Sequence, residues 1–314
     1  MKNEQKTERR HTPKRNYLTY IWILAAAGWI ASCSPRPQAD DRTLYVSILP
    51  LRSLVCGIVG DDFDVEVLVP AGASPETFEP TARQIGDLNR SALIFNVGLI
   101  DFETTLIPKI AAAEKVVNLS EGIELLEGSC AHDHTKAHRN HADGDAEHTH
   151  NHEHAHGIDP HIWTSPKALQ RMAANVYEAI RRMWPDSTHY AERYARLRDE
   201  LTALDRRTEE KLAASGTEYF IIYHPAYTYY AHDYGLRQEA IEADGKEPSA
   251  RRIAAMIREA REKGVRRIFR QRQFPASTAE TIARDIDAEV IEVDPLQEDV
   301  IGGIDAFTEQ LTKQ

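Results

Sequence analysis

The feature that most constrains the fold is an alternation of short apolar runs with longer amphipathic segments. Four apolar runs precede residue 120 and four follow residue 217, and each has the length of a buried strand. Strands that alternate with helices at this spacing predict βαβ units and parallel sheets. The expected strands are Thr43–Leu49, Asp64–Val69, Ala92–Val97, Lys115–Leu119, Glu218–Tyr223, Leu236–Ile241, Val265–Phe269 and Glu289–Val293. The helices expected around them are Leu51–Val59, Glu76–Asn89, Phe102–Ala113, Ser165–Met183, Tyr227–Tyr234, Ala250–Lys263 and Ser277–Asp287.

A long helix is predicted between the two sets of strands, from Ser187 to about Ala213. Its apolar residues recur at spacings of three and four with many charges between them, which is typical of a connecting helix with solvent on its flanks. The predicted fold class is therefore α/β, with two similar lobes built on parallel sheets and joined by one long helix. The boundaries we expect are an N-terminal lobe at 43–186, a connecting helix at 187–214 and a C-terminal lobe at 215–314.

The first residues have the pattern of an export signal. Lys2–Arg15 carries six basic and two acidic side chains, and the apolar run Tyr17–Ala31 follows it. Ile30-Ala31-Ser32-Cys33 resembles the lipobox of bacterial lipoproteins, in which the cysteine is lipidated. We therefore expect a signal peptide at 1–32, a lipid on Cys33 and a tether at 33–42. An ordinary signal peptide or an uncleaved anchor is the alternative interpretation.

The charge of the chain narrows its partners. Loss of residues 1–32 would remove six positive and two negative charges, and the formal net charge would move from −11 to about −15. Such a chain is not expected to bind nucleic acid, and it suits a cation-handling surface. Apart from Cys33, which is expected to be lipidated, only Cys56 and Cys130 would remain. This is too few for a disulfide framework, and the sequence leaves their pairing open. A monomer is expected.

A histidine-rich stretch, Cys130–Trp163, holds ten of the fourteen histidines. Its first part has almost no apolar side chain, so we expect a loop at 130–157 rather than a packed element. Imidazoles suit zinc, copper, nickel and cobalt, and His-rich tracts are a compositional signal of metal binding. A solvated surface loop with a chance bias is the alternative. The candidate auxiliary ligands are His132, His134, His138, His141, His148, His150, His152, His154 and His156.

Four further ligand-type residues lie at or just after the expected carboxyl ends of strands, or at the end of the loop. In open α/β sheets this edge carries the ligand site. Two imidazoles and two carboxylates would suit zinc, with manganese and iron(II) as alternatives. Spacing alone does not decide between ligands and structural residues. The four candidates are Glu76, His161, His224 and Asp294.

Several ordered motifs then resemble one family, the cluster A-I solute-binding proteins of zinc and manganese ABC importers. The resemblance covers essentially the whole chain after the signal. It implies an ABC permease as the partner and implies His161, His224 and Asp294 as metal ligands. The motifs are VSILPLRSLVCGIVGDDFDVEVLVPAGASPETFEP, DPHIWTSP, YHPAYTYYAHDYGL, GKEPS, IFRQRQF and VIEVDPL.

The chain departs from the family pattern after GASP, where Glu76 replaces the usual histidine. We expect Glu76 to be the first ligand, with Glu79 as the other candidate and a three-ligand site completed by water as the alternative. In the resemblance, a histidine at position 224 goes with zinc importers, whereas two carboxylates are also typical of manganese sites. Asp159 is expected to orient His161, and His232 with Asp233 to lie at the surface or behind the site.

These observations predict a lipid-anchored extracytoplasmic protein that captures Zn²⁺, or Mn²⁺ as the alternative, for an ABC permease. No catalysis is expected, because a closed set of four ligands leaves no position for an activated water. A metallohydrolase with Glu76 as general base is the first rival. The HExxH match at His152–His156 (HEHAH) lies inside the low-complexity histidine-rich stretch, where no packed helix is expected, so it does not support this rival. A zinc buffer that works through the His-rich loop is the second rival.

Overall fold

The computed structural model of the chain describes residues 40–128, 157–242 and 246–313. The predicted signal peptide, Cys33, and the candidate loop ligands from His132 to His156 lie outside these residues. Within them, no helix combines the length and apolar character needed to cross a membrane.

The described residues form two four-stranded sheets with helices around them. The strands are β1 Asp40–Val46, β2 Asp64–Val67, β3 Ser91–Asn96, β4 Val116–Asn118, β5 Tyr219–Ile222, β6 Arg237–Ala240, β7 Arg267–Gln271 and β8 Glu289–Val293. The helices are α1 Leu49–Val59, α2 Ala82–Arg90, α3 Asp101–Thr105, α4 Ile107–Ile110, α5 Pro166–Met183, α6 His189–Ser215, α7 Thr228–Asp233, α8 Ala250–Glu262, α9 Ser277–Ile286 and α10 Val300–Thr312.

The two sheets share one topology. Their strand orders are β2-β1-β3-β4 and β6-β5-β7-β8, and every pairing in both sheets is parallel. The strand order reverses between β1 and β3 in the first sheet and between β5 and β7 in the second. In open α/β sheets, ligands bind outside the carboxyl ends of the strands at such a reversal. The predicted class, two similar α/β lobes with a long connecting helix, is confirmed.

Two predicted helices are wrong in detail, and proline explains both. The stretch from Glu76 to Asn89 is a 3₁₀ turn at Pro75–Thr77 followed by α2, because Pro80 keeps the residue before it out of helical conformation. Thr81 and Gln84 then close a capping box that starts α2, with bonds of 3.3 and 2.9 Å. The predicted helix Phe102–Ala113 is split into α3 and α4, since Pro108 cannot continue the hydrogen-bond ladder.

The long helix α6 is bound to both lobes. Near its start, Arg193 donates to the carbonyl of Val59 at 2.7 Å and to Asp62 at 2.8 Å. Near its end, Arg207 forms a two-pronged ion pair with Asp305 of α10, with Nε at 2.8 Å from each oxygen. The helix ends at Gly216, whose φ of 65° is the left-handed conformation that glycine adopts without steric cost.

One continuous hydrophobic core joins the lobes. It includes Leu201 and Leu204 of α6, residues around both sheets, and aromatic rings from the C-terminal lobe such as Phe269 and Phe307. A second, smaller cluster lies between the second sheet and α8 with α9. Because the main core crosses the lobe boundary, wide separation of the lobes would expose buried apolar surface to water.

We predict that Leu201→Ala lowers the free energy of unfolding by about 2–5 kcal/mol, since Leu201 is fully buried in this shared core. Urea unfolding of the metal-free protein should still show a single cooperative transition. Lys211→Ala on the exposed face of the same helix is the control, and it should change the stability by less than about 0.5 kcal/mol. Two separate transitions in the wild-type protein would contradict a shared core.

Candidate metal centre

His161 lies in a tight turn at the start of the segment that leads into α5. The Asp159 carboxylate accepts the backbone N–H of His161 at 2.8 Å and faces its Nδ1 at 2.8 Å, so one side chain fixes both the turn and the ring. A 3₁₀ turn, Ile162–Thr164, follows at once. Ser165 then caps α5 by accepting the N–H of Ala168. His161 is 8% exposed, and its Nε2 is left to face the cleft.

His224 lies two residues beyond the end of β5, at the corresponding edge of the second sheet. Gln271 of β7 holds its backbone from both sides: the His224 N–H donates to Oε1 at 3.1 Å and Nε2 donates to the His224 carbonyl at 2.6 Å. The Phe274 ring stacks on the imidazole with centroids 4.9 Å apart. Nδ1 lies 2.5 Å from Oε1 of Glu242, so Nε2 is again the nitrogen that faces the cleft.

Glu76 reaches the same point from the short Pro75–Thr77 turn. Its Oε1 lies 3.1 Å from Nε2 of His224, and its side chain is 46% exposed. The helix that was expected over Glu76–Asn89 begins only at Ala82. Glu76 therefore lies on a turn between β2 and α2 rather than inside a helix.

Glu76, His161 and His224 form one compact group, which we call the metal-ligand group. The Nε2 atoms of the two histidines are 3.3 Å apart, and one ligand atom from each of the three residues lies within 4.8 Å of the others. A cavity of about 30 Å³ adjoins them, which is room for an ion or a water but not for an organic ligand. Two imidazole nitrogens and a carboxylate oxygen are donors that zinc accepts.

Asp294 is the predicted ligand that does not join this group. Its Oδ1 accepts the backbone N–H of Leu296 at 3.0 Å and lies 3.3 Å from Nε2 of Gln273, so the carboxylate closes its own turn after β8. The next two residues, Pro295 and Leu296, line the same cavity as the metal-ligand group. Coordination by Asp294 therefore stays a prediction, as does the full ligand set.

The remaining candidates lie away from the group or outside the described residues. Glu79 is exposed and does not share the ligand cluster. Asp233 interacts with the hydroxyl of Ser165, and His232 lies 3.7 Å from Asp233 with more than half of its side chain exposed. Cys33, Cys130 and the nine candidate loop histidines are outside the described part of the chain.

Sequence reasoning missed Glu242. It is 5% exposed and contacts His224 in the way that Asp159 contacts His161. The available signal was its place directly after the strand Leu236–Ile241, at the edge where ligand sites form. To predict its contact with His224 one must also know that β5 pairs with β6, and the sequence alone does not show this pairing.

The cleft is closed by contacts between the lobes on either side of the group. The indole N–H of Trp163 donates to the carbonyl of Pro295 at 2.9 Å. The Tyr229 hydroxyl of α7 donates to the carbonyl of Asp159 at 2.9 Å and accepts the N–H of Leu126 at 3.2 Å. His161 and His224 are thus held at a fixed separation by bonds beside them and not only by the distant core.

The electrostatics of the metal-free group follow from its carboxylates. Burial lowers the pKa of His224, but the bonds to Glu242 and Glu76 outweigh it and raise that pKa to about 9. The bond to His224 lowers the pKa of Glu76, with burial opposing it. Burial disfavours the charge of Asp159, yet attraction to His161 and hydrogen bonds leave its pKa lowered. The carboxylates of Glu76 and Asp159 are therefore held in their ionised form, and their negative charge favours a dication.

Two α/β lobes built on parallel sheets bring one imidazole each together with a carboxylate, an arrangement that can hold a metal ion in the cleft. The sequence profile described as zinc-uptake complex component A, periplasmic, ZnuA, matches residues 44–313. The chain belongs to this family.

Individual relatives agree with this assignment. The high-affinity zinc uptake system protein ZnuA of Bacillus subtilis is 30% identical over 285 residues, which cover 86% of this chain and 83% of that protein. The zinc-binding protein AdcA of Streptococcus pyogenes is 28% identical over 307 residues, or 94% of this chain. The chain spans only 59% of the length of AdcA. A crystal structure of a zinc-bound ZnuA deletion mutant superposes with a TM-score of 0.74 at 30% identity, covering 87% of this chain and 97% of that one.

We predict that zinc affinity rises with pH up to about pH 9. Below its pKa of about 9, His224 carries a proton on the nitrogen that faces the cleft, and zinc must displace it. The apparent affinity should therefore gain up to about tenfold per pH unit between pH 7 and 9 and then level off. Competition titrations against a chelator of known pH dependence measure this, with residues 131–156 deleted so that loop histidines do not contribute. A flat affinity between pH 7 and 9 would contradict the assigned proton.

Proposed function

We propose that this protein captures Zn²⁺ outside the cytoplasm and presents it to an ABC permease for import. The observation that carries the proposal is the meeting of His161 and His224, one from each lobe, with their Nε2 atoms 3.3 Å apart and each Nδ1 on a buried carboxylate. Histidines held in this way present Nε2 to a metal ion, because the other ring nitrogen is already bonded to a carboxylate. The names of the Bacillus subtilis and Streptococcus pyogenes relatives support zinc as the cargo.

The donor atoms support zinc over manganese. Nitrogen donors suit zinc, whereas manganese favours oxygen donors, and at a common site zinc binds more tightly than manganese. The three gathered residues supply two nitrogens and one carboxylate. Asp294 would add a second carboxylate and make a four-coordinate site without an open position for reactive water.

Retention at the membrane is proposed from Cys33. The Ile30-Ala31-Ser32-Cys33 motif follows an apolar run and a basic start, and a pneumococcal relative at 25% identity is named a zinc-binding lipoprotein. A lipid on Cys33 would hold the capture protein near its permease, with residues 34–42 as the tether.

Release of the ion is proposed to occur by local movement at Glu76. The shared core and the Trp163–Pro295 bond oppose wide opening of the lobes, whereas Glu76 lies on a short turn and is 46% exposed. Loss of this ligand would leave the ion on the two imidazoles and Asp294, with an open side toward the permease. The His-rich segment, 130–157, would act as a weak collector that raises the local zinc concentration.

The test is a competition titration with Zn²⁺ and Mn²⁺ on the chain without residues 1–32 and 131–156. We expect one tight zinc site, weaker manganese binding, and a loss of more than about 100-fold in zinc affinity in His224→Ala. Outer-shell changes at such sites already cost about 10–100-fold, so loss of a ligand should cost more. Glu76→Ala should weaken zinc binding if Glu76 is a ligand.

His232→Ala is the matched control, because His232 is an exposed histidine of the same lobe that lies outside the metal-ligand group. It should leave the affinity unchanged. If tight binding disappears with residues 131–156, the protein is a buffer that works through its loop. If manganese binds more tightly than zinc, the cargo is wrong and the class of protein is right.

A further inference from the structure

Glu242 lies where the register of the second sheet places it beside His224. In that sheet Ile222 of β5 is paired with Ala240 of β6. The pairing continues past both strands, since Ile241 donates to the carbonyl of Ile222 at 2.8 Å and Glu242 donates to that of Tyr223 at 3.0 Å. Two residues beyond the Ile222–Ala240 pair, the same register aligns His224 with Glu242. The contact between them is thus fixed by backbone hydrogen bonds and not by a chance rotamer.

The Glu242 carboxylate bonds to the imidazole of His224. Its Oε1 lies 2.5 Å from Nδ1 of His224, and the residue is 5% exposed. In the described part of the chain, its ion pair with His224 is the only one that Glu242 forms. A charge-assisted bond of this length is stronger than a neutral one. It directs the Nδ1–H toward Glu242, so that Nε2 is the nitrogen that binds a metal ion once its own proton has been displaced.

The two histidines are supported differently. Asp159 belongs to the same turn as His161 and also accepts the backbone N–H of His161, so its removal would disturb the chain as well as the ring. Glu242 comes from the segment that follows the neighbouring strand β6, and its carboxylate contacts the ring alone. The His224 backbone is held separately by Gln271. A change in the charge of Glu242 therefore alters the imidazole without altering its place in the fold.

We propose that Glu242 is the positioning residue that makes His224 a strong nitrogen donor and so sets the preference of the site for zinc over manganese. This inference rests on the proposed function. An anionic partner on Nδ1 raises the basicity of the metal-facing nitrogen. Zinc gains more from a basic nitrogen than manganese does, because manganese relies on oxygen donors. The plain attraction of the carboxylate for a dication is the same for both ions and cancels in their affinity ratio.

The experiment compares Glu242→Gln with wild type, with residues 130–157 retained and free Zn²⁺ and Mn²⁺ buffered by chelators. Glutamine keeps the shape and can still accept the Nδ1–H, so only the charge is lost. We expect zinc affinity to fall about 10–100-fold. Manganese affinity should fall less, so that the zinc-to-manganese affinity ratio decreases. Glu242→Asp keeps the charge at a shorter reach and should retain more of the ratio than Glu242→Gln.

Glu247→Gln is the control, because Glu247 lies in the same stretch but bonds to the hydroxyls of Tyr223 and Thr278 instead of a ligand. It should leave both affinities unchanged. The thermal unfolding temperature of each metal-free variant, measured alongside, identifies a variant that does not fold, and Glu242→Asp then carries the comparison. Unchanged affinities in Glu242→Gln, or equal losses for both ions, would overturn the inference. Wild-type protein without a tight zinc site would instead refute the proposed function.

Discussion

The separation of His161 from His224 is the constraint on which the rest of the structure depends. The two imidazoles come from different lobes, more than sixty residues apart in the chain, and their Nε2 atoms lie 3.3 Å from each other. Interior packing is too dense to be deformed continuously, so a core shared by both lobes fixes that distance better than a hinge would. The long helix α6 is bound to one lobe through Arg193 and to the other through Arg207, so it also helps to fix this distance.

Charge is the second requirement, and the chain meets it with carboxylates behind the ligands as well as among them. Burying ionised groups is costly unless they are paired. Asp159 and Glu242 are each paired with one imidazole, and Glu76 is paired with His224 from the solvent side. A dication in the cleft would replace proton-mediated pairing with direct coordination. Among the three residues of the metal-ligand group, only Glu76 is exposed, which is why the proposed release begins there.

The fold class could be predicted from the sequence because alternating apolar runs leave few topologies for a chain of this length. The positions of Glu76 and His224, in the segments that follow β2 and β5, could be predicted for the same reason, since parallel strands bring their carboxyl ends to one edge. His161 could be predicted from the change of composition at the end of the histidine-rich stretch. Two prolines, Pro80 and Pro108, were not given enough weight against helical composition. The distance between lobes, the register that brings Glu242 to His224 and the turn that Asp294 closes depend on tertiary packing, which periodicity does not encode.

The central claim is that a single zinc ion bridges the lobes through His161 and His224. Crystals grown with one equivalent of Zn²⁺ and measured at the zinc absorption edge test it most directly, because anomalous scattering locates the ion without reference to the protein. The account predicts one dominant peak about 2.0–2.1 Å from Nε2 of both histidines, with an oxygen of Glu76 about 2.0–2.2 Å away. A dominant peak elsewhere in the chain, with His161 and His224 not bound to it, would contradict the account.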